Sequence, residues 1–293
     1  VTSTDMRHAL VFGASGQIGR LLLARLVEQG WQVHAVSRQA RIDVPGVRWL
    51  RGDLQRIEGL PSEVGVIVSC GPLDLFARWY AQARVACPRV IAFGSTSQLV
   101  KAESADAAER DLAARLREGE RLVLETATTR AAAATLLRPT LIYGAGGDRT
   151  LTRIAAIAQR WHRFALPRDA VGLRQPVHAD DLAQAAFAAI DAPDSHGRAY
   201  ELPGGETLSY RDMTARVLAT LQPPARLYLW PAPLFRLALA FARVAGVARG
   251  FGGAALARMR EDLVFDATPA RRDFGYAPRP FRPTAEMFVS RGD

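Results

Sequence analysis

The sequence predicts an α/β protein: a doubly wound parallel sheet with helices on both faces, followed by a smaller lobe. Two observations carry this. Short β-rich runs alternate with helical stretches through the first half of the chain, and three glycines stand three residues apart where the first run meets the first helix. The 293 residues, 49% hydrophobic and 23% charged, are enough to bury a sizeable core and leave little scope for long disordered regions.

The elements follow in order. Residues 8–13 read as the first strand, and 17–29 as an amphipathic helix with Ile18, Leu21, Leu22 and Leu26 on one face, ended by Gly30. Residues 31–37, 46–50, 64–69, 89–94 and 133–138 read as further strands, with helices at 73–86 and 105–128. After Pro139 the rhythm loosens. Gly144-Ala145-Gly146-Gly147 marks a turn before a helix at 149–161. A helix at 178–190 carries Asp180 and Asp181 in its first turn, where carboxylates complement the helix dipole. Ser209 is the expected cap of a helix reaching 221, and the rest reads as helical to Arg260, broken at prolines. We therefore expect a nucleotide-binding domain over 1–142, rejoined by 175–192, and a mostly helical lobe over 143–293.

Composition narrows the partners. The net charge is +9, yet Lys101 is the only lysine, and the arginines are scattered through every expected element instead of forming one run. Nucleic-acid binding is not expected from such a distribution. An anionic small molecule is, because guanidinium forks match carboxylate and phosphate oxygens. Arg149, Arg153, Arg163, Arg168 and Arg174 crowd the start of the lobe, with Arg149 and Arg174 the foremost substrate-binding candidates. Cys70 and Cys87 are expected as buried free thiols. The polar start of the chain shows no secretory leader, which predicts a cytoplasmic protein. The apolar stretch 230–247 contains Arg236 and Arg243 and is interrupted by Pro231 and Pro233, so it reads as a packed helix, not a membrane span. No His, Cys and carboxylate spacing suggests a metal site, and the terminal Arg291-Gly292-Asp293 is too short to carry meaning.

Residues 11–20 read Val-Phe-Gly-Ala-Ser-Gly-Gln-Ile-Gly-Arg, between an expected strand and an expected helix. In such a turn the first glycine permits a tight bend, the second lets backbone approach a pyrophosphate, and the third lets helix and strand pack closely. The anion then rests on the helix N-terminus. This predicts a Rossmann-type dinucleotide site at Gly13, Ser15, Gly16, Gln17, Ile18 and Gly19. The second strand ends Ser37-Arg38, where an acid would favour a free ribose hydroxyl; a hydroxyl and a cation suit a 2′-phosphate instead, so NADP is expected over NAD.

Gly13-Ala14-Ser15-Gly16-Gln17-Ile18-Gly19 resembles the cofactor motif of the extended short-chain dehydrogenases, the NAD-dependent epimerase/dehydratase family. Gly52-Asp53-Leu54 is similar to the segment whose aspartate touches adenine. Ser95-Thr96-Ser97 stands where the family keeps its Ser/Thr, and Arg138-Pro139-Thr140-Leu141-Ile142-Tyr143-Gly144 is similar to its sixth-strand motif. Gln175 to Leu182 and Asp266 to Pro278 match later segments, so the likeness spans nearly the whole chain. It implies cofactor contacts at Asp53 and Leu54 and carbonyl chemistry near Ser95 and Thr96.

One part of the family pattern is missing. Its chemistry uses a tyrosine and a lysine at i, i+4 on one helix face, where the ammonium lowers the phenol pKa. None of the six tyrosines here has a lysine four residues on, and the position four before Lys101 is Ser97. Matching Gly119-Glu120-Arg121-Leu122 to the family's segment puts Leu112 and Leu116 at the dyad positions, so the helix face toward the cofactor is expected to be apolar. Three readings follow: an atypical NADP-dependent oxidoreductase on a small carbonyl or nucleotide-linked substrate, using Thr96, Ser95 and Tyr143 with His178 at the substrate; a non-catalytic NADP-binding sensor or partner-binding protein; and, supported by charge alone, a nucleic-acid binder.

Overall fold

The computed structural model describes residues 7–144, 146, 148, 150–244 and 253–288. The expectations for Arg149 and for the terminal tripeptide lie outside the described residues. The first part of the chain forms β1 (His8–Phe12), α1 (Gly19–Glu28), β2 (Gln32–Ser37), β3 (Val47–Arg51), β4 (Val66–Ser69), α2 (Leu73–Gln82), β5 (Arg89–Phe93), α3 (Ser97–Val100), α4 (Ala107–Thr129) and β6 (Ala133–Pro139). There follow β7 (Ile142–Tyr143), α5 (Leu151–Trp161), β8 (Arg163–Pro167), β9 (Leu173–Arg174), β10 (Val177–His178), α6 (Ala179–Ile190) and β11 (Arg198–Leu202). The remainder forms β12 (Leu208–Ser209), α7 (Tyr210–Ala219), β13 (Arg226–Trp230), α8 (Ala232–Val244), α9 (Gly253–Arg258) and α10 (Thr268–Phe274).

Seven strands make one parallel sheet in the order β11-β6-β5-β4-β1-β2-β3. The doubly wound fold follows from alternation in β1. Ala9 and Val11 face one layer, with Leu22 and Leu26 of α1 and Ala186 and Ile190 of α6. Leu10 and Phe12 face the other, with Phe76 and Tyr80 of α2 and Val123 of α4. Both faces of the strand are buried, which is why its sequence is a continuous apolar run. β2 and β4 flank β1, with Val11 opposite Ala35 on one side and Phe12 opposite Ser69 on the other. The crossovers leave β1 in opposite directions, so a crevice opens at its carboxyl end, beside Gly13.

The chain returns to the sheet later than the expected segment 175–192. α6 lies in that segment and packs on α1, but the added strand is β11, paired with β6 from Arg198↔Thr135 to Leu202↔Pro139. In its sequence, Arg-Ala-Tyr-Glu-Leu, buried Tyr200 and Leu202 alternate with half-buried Ala199 and Glu201, and the apolar run that marked the others is lacking. Buried Arg89 ties this edge together: it donates to the carbonyls of Ala189 (2.6 Å) and Ile190 (3.1 Å), and to Thr135 Oγ1 (2.7 Å) and Ser195 Oγ (2.8 Å). A guanidinium there meets the negative end of α6.

The lobe has its own apolar cluster, with Tyr143, Ile154, Met213 and Phe281 among its members. It is less helical than expected, because three two-stranded ribbons cross it: β7 with β10, β9 with β12, and β8 with β13. Residues 226–230, expected in a helical stretch, form β13 parallel to β8; Leu227 and Leu229 alternate with Arg226, Tyr228 and Trp230, a period of two. The expected packed helix at 230–247 corresponds to α8, which is only half packed: Leu239 is buried, while Leu234, Leu237 and Phe241 are exposed. Among the described residues no helix is long and apolar enough to cross a membrane. Cys70 and Cys87 are free, and burial pushes their thiols up to about 12 and about 11.

The tightest contact in the turn after β1 gives a direct test of the packing. A Cβ on Gly19 would lie 2.1 Å from the Gly13 carbonyl oxygen, whereas one on Gly253 would meet nothing within 4 Å. Gly19→Ala is expected to lower stability by roughly 1–3 kcal/mol, the usual cost of overpacking. Gly253→Ala should leave it unchanged; denaturant unfolding of both variants checks the contrast.

Candidate functional site

The glycine turn is shaped by contacts that allow no side chain. Gly13 has φ +68°, and a Cβ on it would sit 2.9 Å from the carbonyl carbon of Cys70, the residue that follows β4. Gly16 N–H donates to Gly13 O at 2.9 Å, closing the bend. Gly16 itself is exposed, and its added Cβ would meet only that same oxygen, at 3.1 Å. Gly19 then brings α1 against the end of β1. The first helical bond into α1 runs from Arg20 N to Gly16 O (3.1 Å), so the amides of the turn stand at the helix N-terminus, where orphan N–H groups and the dipole attract an anion. Ser15 is half-buried and Ile18 is buried in the core. The turn is most open at Gly16, where backbone faces solvent, and its amides could hold a pyrophosphate.

The residues expected at the adenosine end collect beside this turn. Ser37 is buried at the end of β2; its Oγ accepts from Gln39 N at 3.2 Å and its carbonyl from Gly52 N at 2.9 Å. Arg38 next to it is exposed. Asp53 Oδ1 accepts from Gln55 N (2.8 Å) and Arg56 N (3.0 Å), and these bonds hold its carboxyl below the usual range, with Arg38 adding a smaller push. Leu54 packs on the core beneath and comes within reach of Gly71, itself adjacent to Gly13. Gly71 carried no signal in the sequence; it shows its place only once β4 lies against β1.

A cleft of about 600 Å³ runs from Gln17 of the glycine turn into the lobe. Ser95, Thr96, Ser97 and Lys101 line one side; Arg153, Arg174, Tyr210 and Arg258 line the lobe side. Thr96 is buried and its Oγ1 donates to the Pro139 carbonyl at 3.1 Å, so the hydroxyl holds the loop after β5 and offers the cleft lone pairs, not a proton. Ser95 Oγ accepts from Ser97 N at 3.1 Å, a bond that leaves its own proton to donate. Ser97 begins α3, and Lys101 is the cap residue one turn later, so both reach the same cleft. Sequence reasoning met this spacing but had no helix there, because four residues are too few to show a period.

Three charged groups meet at the cleft wall. Lys101 Nζ lies 3.7 Å from Glu109 Oε1, and Arg258 makes a two-pronged bond to the same carboxylate, Nη2 to Oε1 at 2.6 Å. Burial pushes the Glu109 carboxyl up, but the bonds from Arg258 and Ser104 and the charges of Arg258 and Lys101 outweigh it and hold the group below its ordinary value. Arg174 is buried and donates to the carbonyls of Leu173 (2.6 Å), Glu261 (2.8 Å) and Arg258. Its guanidinium lies 5.3 Å from the Tyr210 ring centroid, and burial lowers its pKa. It therefore ties α9 to the lobe while putting a positive charge in the cleft lining.

Other expected residues do not reach this cleft. Tyr143 is wholly buried; its hydroxyl donates to the Pro280 carbonyl (3.4 Å) and burial raises its pKa. His178 Nδ1 accepts from Asp180 N (3.1 Å), capping α6, and its ring stands edge-on to Tyr143 at 5.1 Å. Burial, then Arg279, keeps this imidazole below its usual pKa, so it is neutral. Leu112 and Leu116 of α4 are not in the cleft wall, and Leu116 packs on the cluster shared with α2. Among the described residues no group of His, Cys, Asp or Glu could hold a metal ion.

Glu109 gives this site a pH signature. A carboxyl held below its ordinary value contributes stability that is fully present above 4.5 and is lost as pH falls through its lower folded value. Glu109→Gln is expected to remove that part of the acid-side loss, so that its Tm falls less steeply than the wild type's below pH 4.5. Parallel melting curves across the acid range check it.

Similarity to known proteins shows the family. The model of the NAD dependent epimerase/dehydratase family matches residues 9–66 and 82–202, more than half of the chain. A 2-alkyl-3-oxoalkanoate reductase of Stenotrophomonas maltophilia (strain K279a) is 28% identical, over 92% of this chain and 94% of its own. Among solved structures, an epimerase from the methanogen Methanothermobacter thermautotrophicus superposes with a TM-score of 0.70 at 14% identity, over 97% of this chain and 91% of that one. The Bordetella bronchiseptica enzyme WbmF, in complex with NAD+ and UDP, gives 0.66 at 16% identity, over 97% and 90%. With its seven-stranded parallel sheet and its glycine cradle, the chain belongs to the NAD dependent epimerase/dehydratase family.

Proposed function

We propose that this protein is an NADP-dependent oxidoreductase that works in the cytoplasm and reduces the carbonyl of an anionic substrate without the family's tyrosine–lysine dyad. One observation carries the reading: hydroxyls, a lysine and arginines line a single cleft that begins at Gln17 of the cofactor cradle. Reduced nicotinamide, when bound, supplies a hydride to the carbonyl carbon. The chain's own groups handle the oxygen. As the C=O electron pair moves onto oxygen, the Ser97 hydroxyl gives up its proton and is restored from the Lys101 ammonium, which regains a proton from water. Ser95 is a second hydroxyl donor, and Thr96 fixes the loop that carries both. Arg153 and Arg174 face the substrate's anionic group, with Arg149 a further candidate from the sequence. A relative named for a ketone and a carboxylate in one molecule supports this division of labour. Tyr143 and His178, both engaged in the core, take no part.

Lys101→Met is expected to lower kcat by about 10²–10⁴ while leaving NADPH binding intact. Steady-state NADPH oxidation with short 3-oxo acids, beside a binding titration, measures both; unchanged turnover removes Lys101 from the mechanism. For cofactor choice, Ser37 and Arg38 support NADP: NADPH should raise Tm more than NADH at equal concentration, and Arg38→Asp should reverse the order. Greater stabilisation of the wild type by NADH contradicts the assignment. The non-catalytic sensor reading has one observation in its favour, the lack of any tyrosine with a lysine four residues on. Tight NADPH binding with no turnover of any oxo acid would establish it.

A further inference from the structure

Beside the polar cleft lies a second one of about 680 Å³, and its character is opposite. Trp161, Phe164, Leu166, Trp230 and Leu239 line it, brought together by α5, the β8–β13 ribbon and α8. Arg163 is the one charged residue among its described lining residues. Three lining side chains are left unusually open for their size: Trp161, Tyr228 and Trp230 are 52%, 45% and 40% exposed. Apolar surface gathered in a concave site is the usual mark of a ligand pocket.

The two clefts share one wall residue, Met259. It is buried, and its backbone is pinned: Gly172 N donates to Met259 O at 3.0 Å, while its neighbour Arg258 is held through its side chain by Glu109 and through its carbonyl by Arg174. The unbranched thioether of Met259, with three rotatable bonds, belongs to the wall of both the cation-lined cleft and the apolar chamber. Such a partition can turn aside without any movement of the chain around it.

We propose that the apolar chamber binds the alkyl chain of an amphiphilic substrate whose carboxylate and carbonyl lie in the polar cleft, with the Met259 side chain as the movable divider between them. This rests on the reading of the polar cleft as the site of an anionic head group. It assigns the substrate to long-chain oxo acids and excludes sugar nucleotides from the second cleft, because that cleft has almost no partner for a hydroxyl-rich group.

The test uses the full chain saturated with NADP+ and titrated with hexanoate, decanoate and tetradecanoate. Tryptophan emission reports filling, since Trp161 and Trp230 both line the chamber. Affinity is expected to rise by about fourfold per added methylene until the chamber is full, with a blue shift of the emission. Tyr228→Asp and Phe235→Asp, which place a charge in the chamber, should flatten that dependence, each variant being first shown to melt as a folded protein. Leu237→Asp, on the outer face of α8, should leave it unchanged. Affinity independent of chain length overturns the proposal, as does a dependence abolished by Leu237→Asp, which would place the chains on the outer surface. The outcomes also separate the two readings. Chain-length dependence without turnover of any oxo acid sinks the reductase and keeps the chamber; turnover without the dependence does the reverse.

Discussion

How closely α1 can approach β1 sets everything at the carboxyl edge of the sheet. Gly19 sits where any side chain would collide with the Gly13 carbonyl, and Gly13 sits where any side chain would collide with the strand beside it. These two close contacts drive the helix N-terminus into the crevice left by the diverging crossovers. The dipole and the free amides then point at one spot, and the anion site needs no charged side chain of its own. Gln17 of this turn lines the polar cleft, so the glycine turn and the lobe border one continuous space.

Charge holds the second half of the molecule to this frame. Arg25 of α1 bonds Asp180 at the start of α6 (2.5 Å), and Arg279 bridges Asp180 and Asp181 from the far end of the chain. Glu109 and Arg174 do the same for α9, drawing it over the cleft. These ties are partly buried and link distant segments, so they fix orientation more than they add stability. The same carboxylate that anchors Arg258 also faces Lys101, so the placement of α9 and the electrostatics of the cleft are coupled through Glu109.

Much of the fold was legible because it rests on patterns that are local. Buried parallel strands are apolar runs, α1 has a single apolar stripe, and the glycine spacing is a steric requirement with few alternatives. Illegible parts depended on partners far away in sequence. β11 and β13 read poorly because a half-exposed strand is only an alternation of five residues, and the small ribbons of two residues carry no pattern at all. Ser95, Thr96 and Arg174, singled out in the sequence by type and position, line the polar cleft. Tyr143 and His178 were plausible by type, but the Tyr143 hydroxyl bonds Pro280 O, His178 Nδ1 caps α6, and neither residue lines the cleft. Arg258 and Glu109 lie 149 positions apart, and nothing short of the folded lobe could pair them. An arginine-rich composition hid these contacts, since each guanidinium looked like one more surface charge.

The central claim is that the glycine cradle holds a dinucleotide whose reactive end opens into the cleft between Gln17 and Thr96. A crystal structure of the NADPH complex measures this directly. The pyrophosphate is expected on the amides around Gly16, the 2′-phosphate at Ser37 and Arg38, and the nicotinamide beside Ser95, Thr96 and Ser97 with Lys101 beyond it. A nicotinamide turned away from that cleft, or a dinucleotide bound elsewhere, would contradict it.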